Sequence, residues 1–293
     1  MRSKRGLRWL GLPISAGLML ALTGCSSVDF GNGFEPSSAV GVTNHTDKII
    51  NFWTTSWVVL FAVGFISWGL MAWALIVYRR RKGENSTPAQ LRYNNPIETL
   101  FTVVPLILVI GFFAQTARTM NDIETPYTNP DVKIEVIGKQ WSWDFNYLQT
   151  GVTKTAVFDS GIQVQPKDVT KKVTEMPVLY LPVNKTVEID LQSRDVIHSF
   201  WVVQFLYKKD VFPGRWNHEY FTPLKTGTYM GKCAELCGEY HSMMLFQVKV
   251  VTQDEYDQHI AELAAKGNTG AQSIDISRNQ NLPGNGSTGN EGK

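Results

Sequence analysis

Charge is scarce in this chain. Asp, Glu, Lys and Arg make up 18% of its 293 residues, against roughly 25% in ordinary soluble domains. The deficit is concentrated in long apolar stretches within the first 120 residues, which excludes an ordinary cytosolic protein. Cysteine is scarce as well: Cys25, Cys233 and Cys237 are an odd number, where an exported chain would normally carry one disulfide and a loose thiol. No Lys/Arg-rich patch with interleaved aromatics follows residue 118, so nucleic acid is not an expected partner. No Cys-x-x-Cys-His occurs, which excludes a c-type haem on this chain.

The formal charge of +2 averages unlike halves. Residues 1–118 hold 11 basic and 5 acidic groups, whereas residues 119–293 hold 17 and 21. The basic half is the membrane half.

Arg2, Lys4 and Arg5 precede an apolar run from Leu7 to Leu22, and small residues follow. This is the layout of a secretory signal, expected over 1–24. The run is shorter than the ~20 residues a spanning helix needs, which weighs against an N-terminal anchor helix. Its Leu22-Thr23-Gly24-Cys25 ending resembles a bacterial lipobox, which would make Cys25 a lipidated first residue of the mature chain. Residues 25–48, rich in Ser, Gly, Asn and Thr, read as a flexible external tether.

Ile49 to Tyr78 contains no charge and stops at Arg79-Arg80-Arg81-Lys82, while Thr99 to Ala117 is a second uncharged run between Glu98 and Arg118. Both read as spans, about 52–78 and 99–117, within a hairpin over 49–118; Pro105 is expected to kink the second. The loop 79–98 carries five basic and two acidic groups, so it is assigned to the cytoplasm and both chain ends to the outside. The lipobox independently requires Cys25 outside. Glu98, at the cytoplasmic mouth of the second span, is either a functional group or a carboxylate complementing the helix dipole.

From 119 to 252 the pattern changes to short β-branched and aromatic runs. Strands are expected over 132–147, Val178–Pro182, Thr186–Leu191, Ser199–Phe205, Gly227–Lys232 and Met244–Val251, which argues for a β-sandwich or barrel. The polar stretch 149–177 reads as an insertion. Within 253–293, Asp254–Lys266 has helical composition and 267–293, rich in Gly, Asn and Ser, reads as disordered.

Cys233-Ala-Glu235-Leu-Cys237-Gly-Glu-Tyr-His241-Ser-Met-Met244 gathers soft ligands suited to copper. A one-copper blue site uses one Cys, two His and a weak Met, so here either one thiol is spare or two metals share both. Two bridging thiolates would spread the unpaired electron over both coppers and keep reorganisation small. His241 supplies one imidazole. Of His45, His198, His218 and His259, the best second candidate is His198, which alone joins a strand edge to a neighbouring acid in Asp195-Val-Ile-His198. The competing readings are a Cys233–Cys237 disulfide, a structural His198, and packing roles for Trp141 and Trp143.

These strings, with Gln140-Trp-Ser-Trp143 and Asp210-Val-Phe-Pro-Gly-Arg215 in the same order, resemble subunit II of cytochrome c oxidase over about residues 49–148 and 178–252. The resemblance implies a two-helix transmembrane hairpin plus an all-β cupredoxin-like Greek-key domain holding a binuclear copper A centre. It implies that Cys233 and Cys237 bridge the coppers, that His198 and His241 each bind one, and that Met244 is a weak axial ligand. Glu235 would give its backbone carbonyl as the other axial ligand and turn its carboxylate to a magnesium ion shared with subunit I. Trp141 matches the surface tryptophan where the electron enters, with Trp143 grouped beside it, and Glu98 matches the mouth of a proton-uptake channel. Implied partners are subunit I, which holds the haem, other oxidase subunits, membrane lipid, and cytochrome c or a membrane-tethered cytochrome c domain. The implied place is a bacterial cell membrane with the domain on the outer face, in a lipoprotein form of a proton-translocating oxidoreductase.

The chain departs from the family pattern at Val203 and Leu245, where many relatives carry proline. Neither is a ligand. The rival readings are another copper A reductase such as a nitrous oxide reductase, against which the hairpin with Glu98 speaks, and a copper-free quinol oxidase subunit II, against which the ligand set speaks. A copper carrier or thiol exchanger would need neither Trp141 nor the hairpin.

Overall fold

The structure is a computed structural model that describes residues 35–83, 87–88, 90–161 and 176–273. The segment read as a signal, with Cys25, residues 162–175 of the 149–177 insertion and residues 274–293 lie outside the described residues.

Two long helices come first. Helix α1 spans Thr46–Val77 and helix α2 spans Asn95–Glu124, both longer than the uncharged runs that predict them. The extra turns carry Asp47, Lys48 and Asp122 at the ends, where polar side chains reach the membrane boundary. Lys48 and Asp122 pair there at 2.9 Å, tying the outer ends of the two helices. Asn94 caps α2 by accepting from the Ile97 N–H at 3.4 Å, Pro96 sits in the first turn, and the helix continues through Pro105. Along both helices large apolar side chains such as Phe65, Leu75 and Phe113 stand exposed, a surface that lipid or neighbouring subunits must cover.

Among the described residues, ten strands form the external domain. They are β1 (Val132–Lys139), β2 (Ser142–Gln149), β3 (Val157–Ser160), β4 (Val178–Pro182), β5 (Val187–Ser193), β6 (His198–Val202), β7 (Tyr207–Val211), β8 (Asn217–Phe221), β9 (Gly227–Cys233) and β10 (Leu245–Val251). One five-stranded sheet has the order β3-β2-β1-β5-β8 and the other β4-β10-β9-β6-β7. Neighbours are antiparallel except β1 with β5 and β4 with β10, which run parallel. The single strand expected over 132–147 is a hairpin, Lys139 opposite Ser142, whose two-residue loop is Gln140-Trp141. Strand β6 ends at Val202, and Val203–Phe205 forms a 3₁₀ turn.

Between the sheets, Trp143, Phe145, Phe200 and Phe246 pack together, with Phe200 stacked on Phe246 at 4.7 Å and Trp143 edge-on to both. Truncating such a ring to alanine costs about 3–5 kcal/mol. Helix α3 (Gln253–Ala265) starts at a capping box made by Thr252 and Glu255 and buries Tyr256, Ile260 and Leu263, one stripe at helical spacing.

Two segments differ from their expectation. The stretch 39–46, read as tether, is fastened to the domain: Asn44 N–H donates to the Thr222 carbonyl, Leu224 N–H to Val42, and Ala39 and Val42 are buried. Residues 267–273, read as disordered, lie along β3, with the Phe158 N–H donating to Asn268 and the Gly270 N–H to Ala156. These contacts are made by backbone, so the Gly- and Asn-rich composition conceals them.

Candidate metal centre

The end of the sandwich capped by the Gln140-Trp141 loop gathers the candidate ligands. His198 opens β6, Cys233 closes β9, and the segment between Cys233 and β10 folds back so that the Cys233 N–H donates to the Met244 carbonyl at 3.0 Å. A short 3₁₀ turn, His241–Met243, follows Cys237 and returns Met244 to the core. Ala234 N–H donates to Ser199 O at 3.0 Å and locks this loop beside β6.

The donor atoms converge. The Cys233 and Cys237 sulfurs lie 3.8 Å apart as free thiols, far beyond the ~2.05 Å of a disulfide, so the disulfide reading is set aside. His198 Nδ1 is 3.8 Å from the Cys233 sulfur, and His241 Nδ1 is 3.5 Å from the Cys237 sulfur. Met244 Sδ lies 3.8 Å from Cys237, and the Glu235 carbonyl lies 3.2 Å from the Cys233 sulfur. The Glu235 side chain itself is exposed. Two thiols, two imidazole nitrogens, a thioether and a carbonyl facing one another are a donor set that fits copper, with both thiols placed between the two histidines.

Electrostatics prepare Cys233 as a thiolate, while Cys237 and His198 must give up a proton to a metal. The hydrogen bond from the Cys237 thiol draws Cys233 well below the ordinary thiol range, with His198 assisting against burial. The same contact, with burial, pushes Cys237 up, so the pair carries one thiolate before a metal displaces the second proton. Burial disfavours a charged His198, but its hydrogen bonds to Asp195 and Cys233 outweigh that and raise it.

The supporting shell was only partly visible in the sequence. Asp195 takes His198 Nε2 at 2.8 Å and also accepts the Gln140 and Val196 N–H groups at 2.7 Å. Gly138 lies under His198, where a Cβ would come within 2.9 Å of the ring, so only glycine fits. The Cys237 carbonyl accepts from both Gln140 Nε2, at 2.7 Å, and the Trp141 indole N–H, at 3.2 Å. Gly238, at φ +125°, keeps clear of the Trp141 ring, and Tyr240 meets that ring edge-on at 4.8 Å. Gly138 carried no signal of its own, while Gln140 and Tyr240 stood inside the quoted strings without a role.

Trp141 is half-buried at the rim. Trp143 is not: it is fully buried, with its ring 6.1 Å from that of His198 and its N–H donating to the Met244 carbonyl at 3.4 Å. Trp143, grouped with Trp141 in the sequence, forms the floor of the site. Glu98 sits in the first turn of α2, and its Oε1 accepts the Asn94 N–H at 2.9 Å. A second cluster, Glu188, Asp190 and His218, surrounds the Lys133 ammonium at 2.7 and 3.0 Å from the two carboxylates, which accounts for it as an ion-pair network. The candidates His45, His218 and His259 all lie away from the thiols; His45 Nε2 instead meets the Tyr220 carbonyl at 2.9 Å.

A two-sheet domain with soft donors converging at one end, carried on two membrane-length helices, is a membrane-anchored cupredoxin-like protein with a candidate copper site. Residues 132–251 match the family of the cytochrome c oxidase subunit II periplasmic domain. The chain is 44% identical to a protein described as probable cytochrome c oxidase subunit 2 from Streptomyces avermitilis, covering 88% of this chain and 87% of that one. It is 31% identical to cytochrome c oxidase subunit 2 of Corynebacterium diphtheriae, covering 75% and 74%. Among solved structures, the periplasmic domain of subunit II of cytochrome oxidase from Bradyrhizobium japonicum is 29% identical, covering 47% of this chain and 96% of that one, with a TM-score of 0.41. The chain belongs to the cytochrome c oxidase subunit II family, whose members are subunits of a haem-copper oxidoreductase.

Proposed function

We propose that this chain takes single electrons from cytochrome c, or from a membrane-tethered cytochrome c domain, onto a binuclear copper A centre and hands them to haem in subunit I. The convergence of both thiols with the two imidazoles carries the reading. Cys233 and Cys237 would bridge, His198 and His241 would each hold one ion, and Met244 and the Glu235 carbonyl would be the weak ligands. When bound, the copper pair supplies a one-electron store with small reorganisation.

The chain's own groups do the rest. Trp141 offers the donor a half-exposed ring whose N–H reaches the carbonyl of a bridging cysteine, giving a short bonded route to its sulfur. Asp195 and Gly138 fix the His198 ring, and Trp143 with the core behind it excludes water. The exposed Glu235 carboxylate is available to a magnesium ion shared with subunit I. Glu98 would attract protons at the inner mouth of α2, and Cys25 would be lipidated on the outer face. Reduction of oxygen to water and most proton pumping belong to the partner subunit.

The reading is tested by mixing reduced cytochrome c with the assembled oxidase. Copper should be reduced before haem in the native complex, and haem reduction should slow at least a hundredfold in Cys237→Ser. Haem reduced equally fast in that variant would remove the chain from the electron path.

A further inference from the structure

The outer end of α2 and the strands above it enclose ionisable side chains that the metal site does not use. Glu124 closes α2; its carboxylate accepts from the Tyr207 hydroxyl and pairs with the Lys209 ammonium, both on β7. Lys209 also lies 3.3 Å from the Tyr207 oxygen. Glu219, on β8, is only 5% exposed, and its Oε1 is buried with no hydrogen-bond partner among the described residues. Opposite it on β5 stands Ile189, fully buried and apolar. Its chain neighbours His218 and Tyr220 lie on the other face of β8. The charged and titratable groups that act on Glu219 are therefore Lys209 and Tyr207 from β7 and Glu124 from α2.

One ammonium thus stands near two carboxyls and pairs with one. Glu124 takes it together with a hydroxyl, and Glu219 is left with neither. An ionised carboxylate buried without a partner is strongly disfavoured, so the group keeps its proton. Burial pushes Glu219 up to about 8, with the Lys209 charge opposing the rise and the Glu124 charge adding to it.

We propose that Glu219 is a proton-binding site that latches the second span to the external domain. While it holds its proton, Lys209 is committed to Glu124 and α2 is held against β7. When the proton leaves to solvent, the new carboxylate draws Lys209 toward itself, and the hold on Glu124 weakens. Because α2 runs outward from the basic loop 79–98, the latch reads the pH of the outer face. It needs no copper, so it stands or falls separately from the electron-transfer reading.

The test uses the full chain in lipid nanodiscs. The infrared C=O band of a carboxylic acid should persist at neutral pH, vanish with a midpoint near 8, and be missing from Glu219→Gln. Lys209→Met should move the midpoint up and Glu124→Gln should move it down. Amide exchange in the last turn of α2, corrected for its intrinsic pH dependence, should quicken several-fold above the midpoint in the native chain and stay slow in Glu219→Gln. No acid band at neutral pH, a band that Glu219→Gln leaves in place, or a midpoint that ignores both charge variants would overturn the proton site. Exchange that does not change across the midpoint would overturn the latch.

Discussion

Asp195 accepts the His198 Nε2–H at 2.8 Å, and that bond decides which imidazole nitrogen faces the thiols. With Nε2 donating to Asp195, Nδ1 is the nitrogen that faces Cys233 and would hold a metal once it gives up its proton. Two backbone N–H groups saturate the same carboxylate, so it cannot swing away.

Asp195→Asn keeps the shape and removes the charge. Copper affinity should fall by about 10–100-fold, the range for losing an outer-shell partner, and the midpoint potential should rise because the oxidised centre loses a stabilising anion. A copper competition titration and a redox titration check both; unchanged values would make Asp195 a loop-shaping residue only.

Trp141→Phe removes the indole N–H from the Cys237 carbonyl, while Gln140 still holds that carbonyl. Electron arrival from cytochrome c should slow strongly with the copper spectrum intact. Since residues 119–293 carry 17 basic and 21 acidic groups, the on-rate for a cationic donor should also fall as salt is raised. Stopped-flow at several ionic strengths measures both effects, and a disturbed copper spectrum would mean that Trp141 acts through the ligand loop.

Glu98 closes the start of α2 by accepting the Asn94 N–H, a cap that glutamine can reproduce through its own carbonyl. Glu98→Gln should therefore assemble normally, since what it loses is charge, worth about 0.3–1 kcal/mol to the helix end. Steady-state oxygen consumption should drop several-fold while copper reduction by the donor keeps its rate. Normal turnover would leave Glu98 as a cap alone.

His259 stacks on Tyr180 at 3.7 Å under α3, and burial lowers it to about 4. Its neutral form is the one that packs, so the stability it lends is present above about pH 6.5 and is lost as the pH falls toward 4. Acid should loosen α3 before the sandwich, by about 1 to 2 kcal/mol, a discount on the full linkage because the ring is partly exposed. Hydrogen exchange in α3 between pH 7 and 4 tests this, with His259→Phe expected to flatten the response.

What could be read from the sequence was chemistry or periodicity held on contiguous residues: the two uncharged runs, the Cys233–Met244 string, and strands such as Val178–Pro182, whose bounds match. What could not be read depends on distant partners. Strand β7, Tyr-Lys-Lys-Asp-Val, looks like a polar loop until β6 pairs with it, and β8 hides a buried Glu219. Strand β2 is buried on both faces because Lys139, Arg194 and Ser160 satisfy Asp144 while Gln272 satisfies Asn146. No local pattern announces such partners. Trp143 is hidden for the same reason: nothing in its likeness to Trp141 announces the core it packs into.

If both thiols serve two metals, the metal content and the spin distribution must show it. The most direct measurement is copper content with electron paramagnetic resonance on the purified chain after copper loading. Two coppers per chain and a hyperfine pattern from one electron shared equally by two nuclei are expected, and Cys233→Ser or Cys237→Ser should abolish it. One copper per chain with a single-nucleus pattern would mean that the thiols do not bridge two metals.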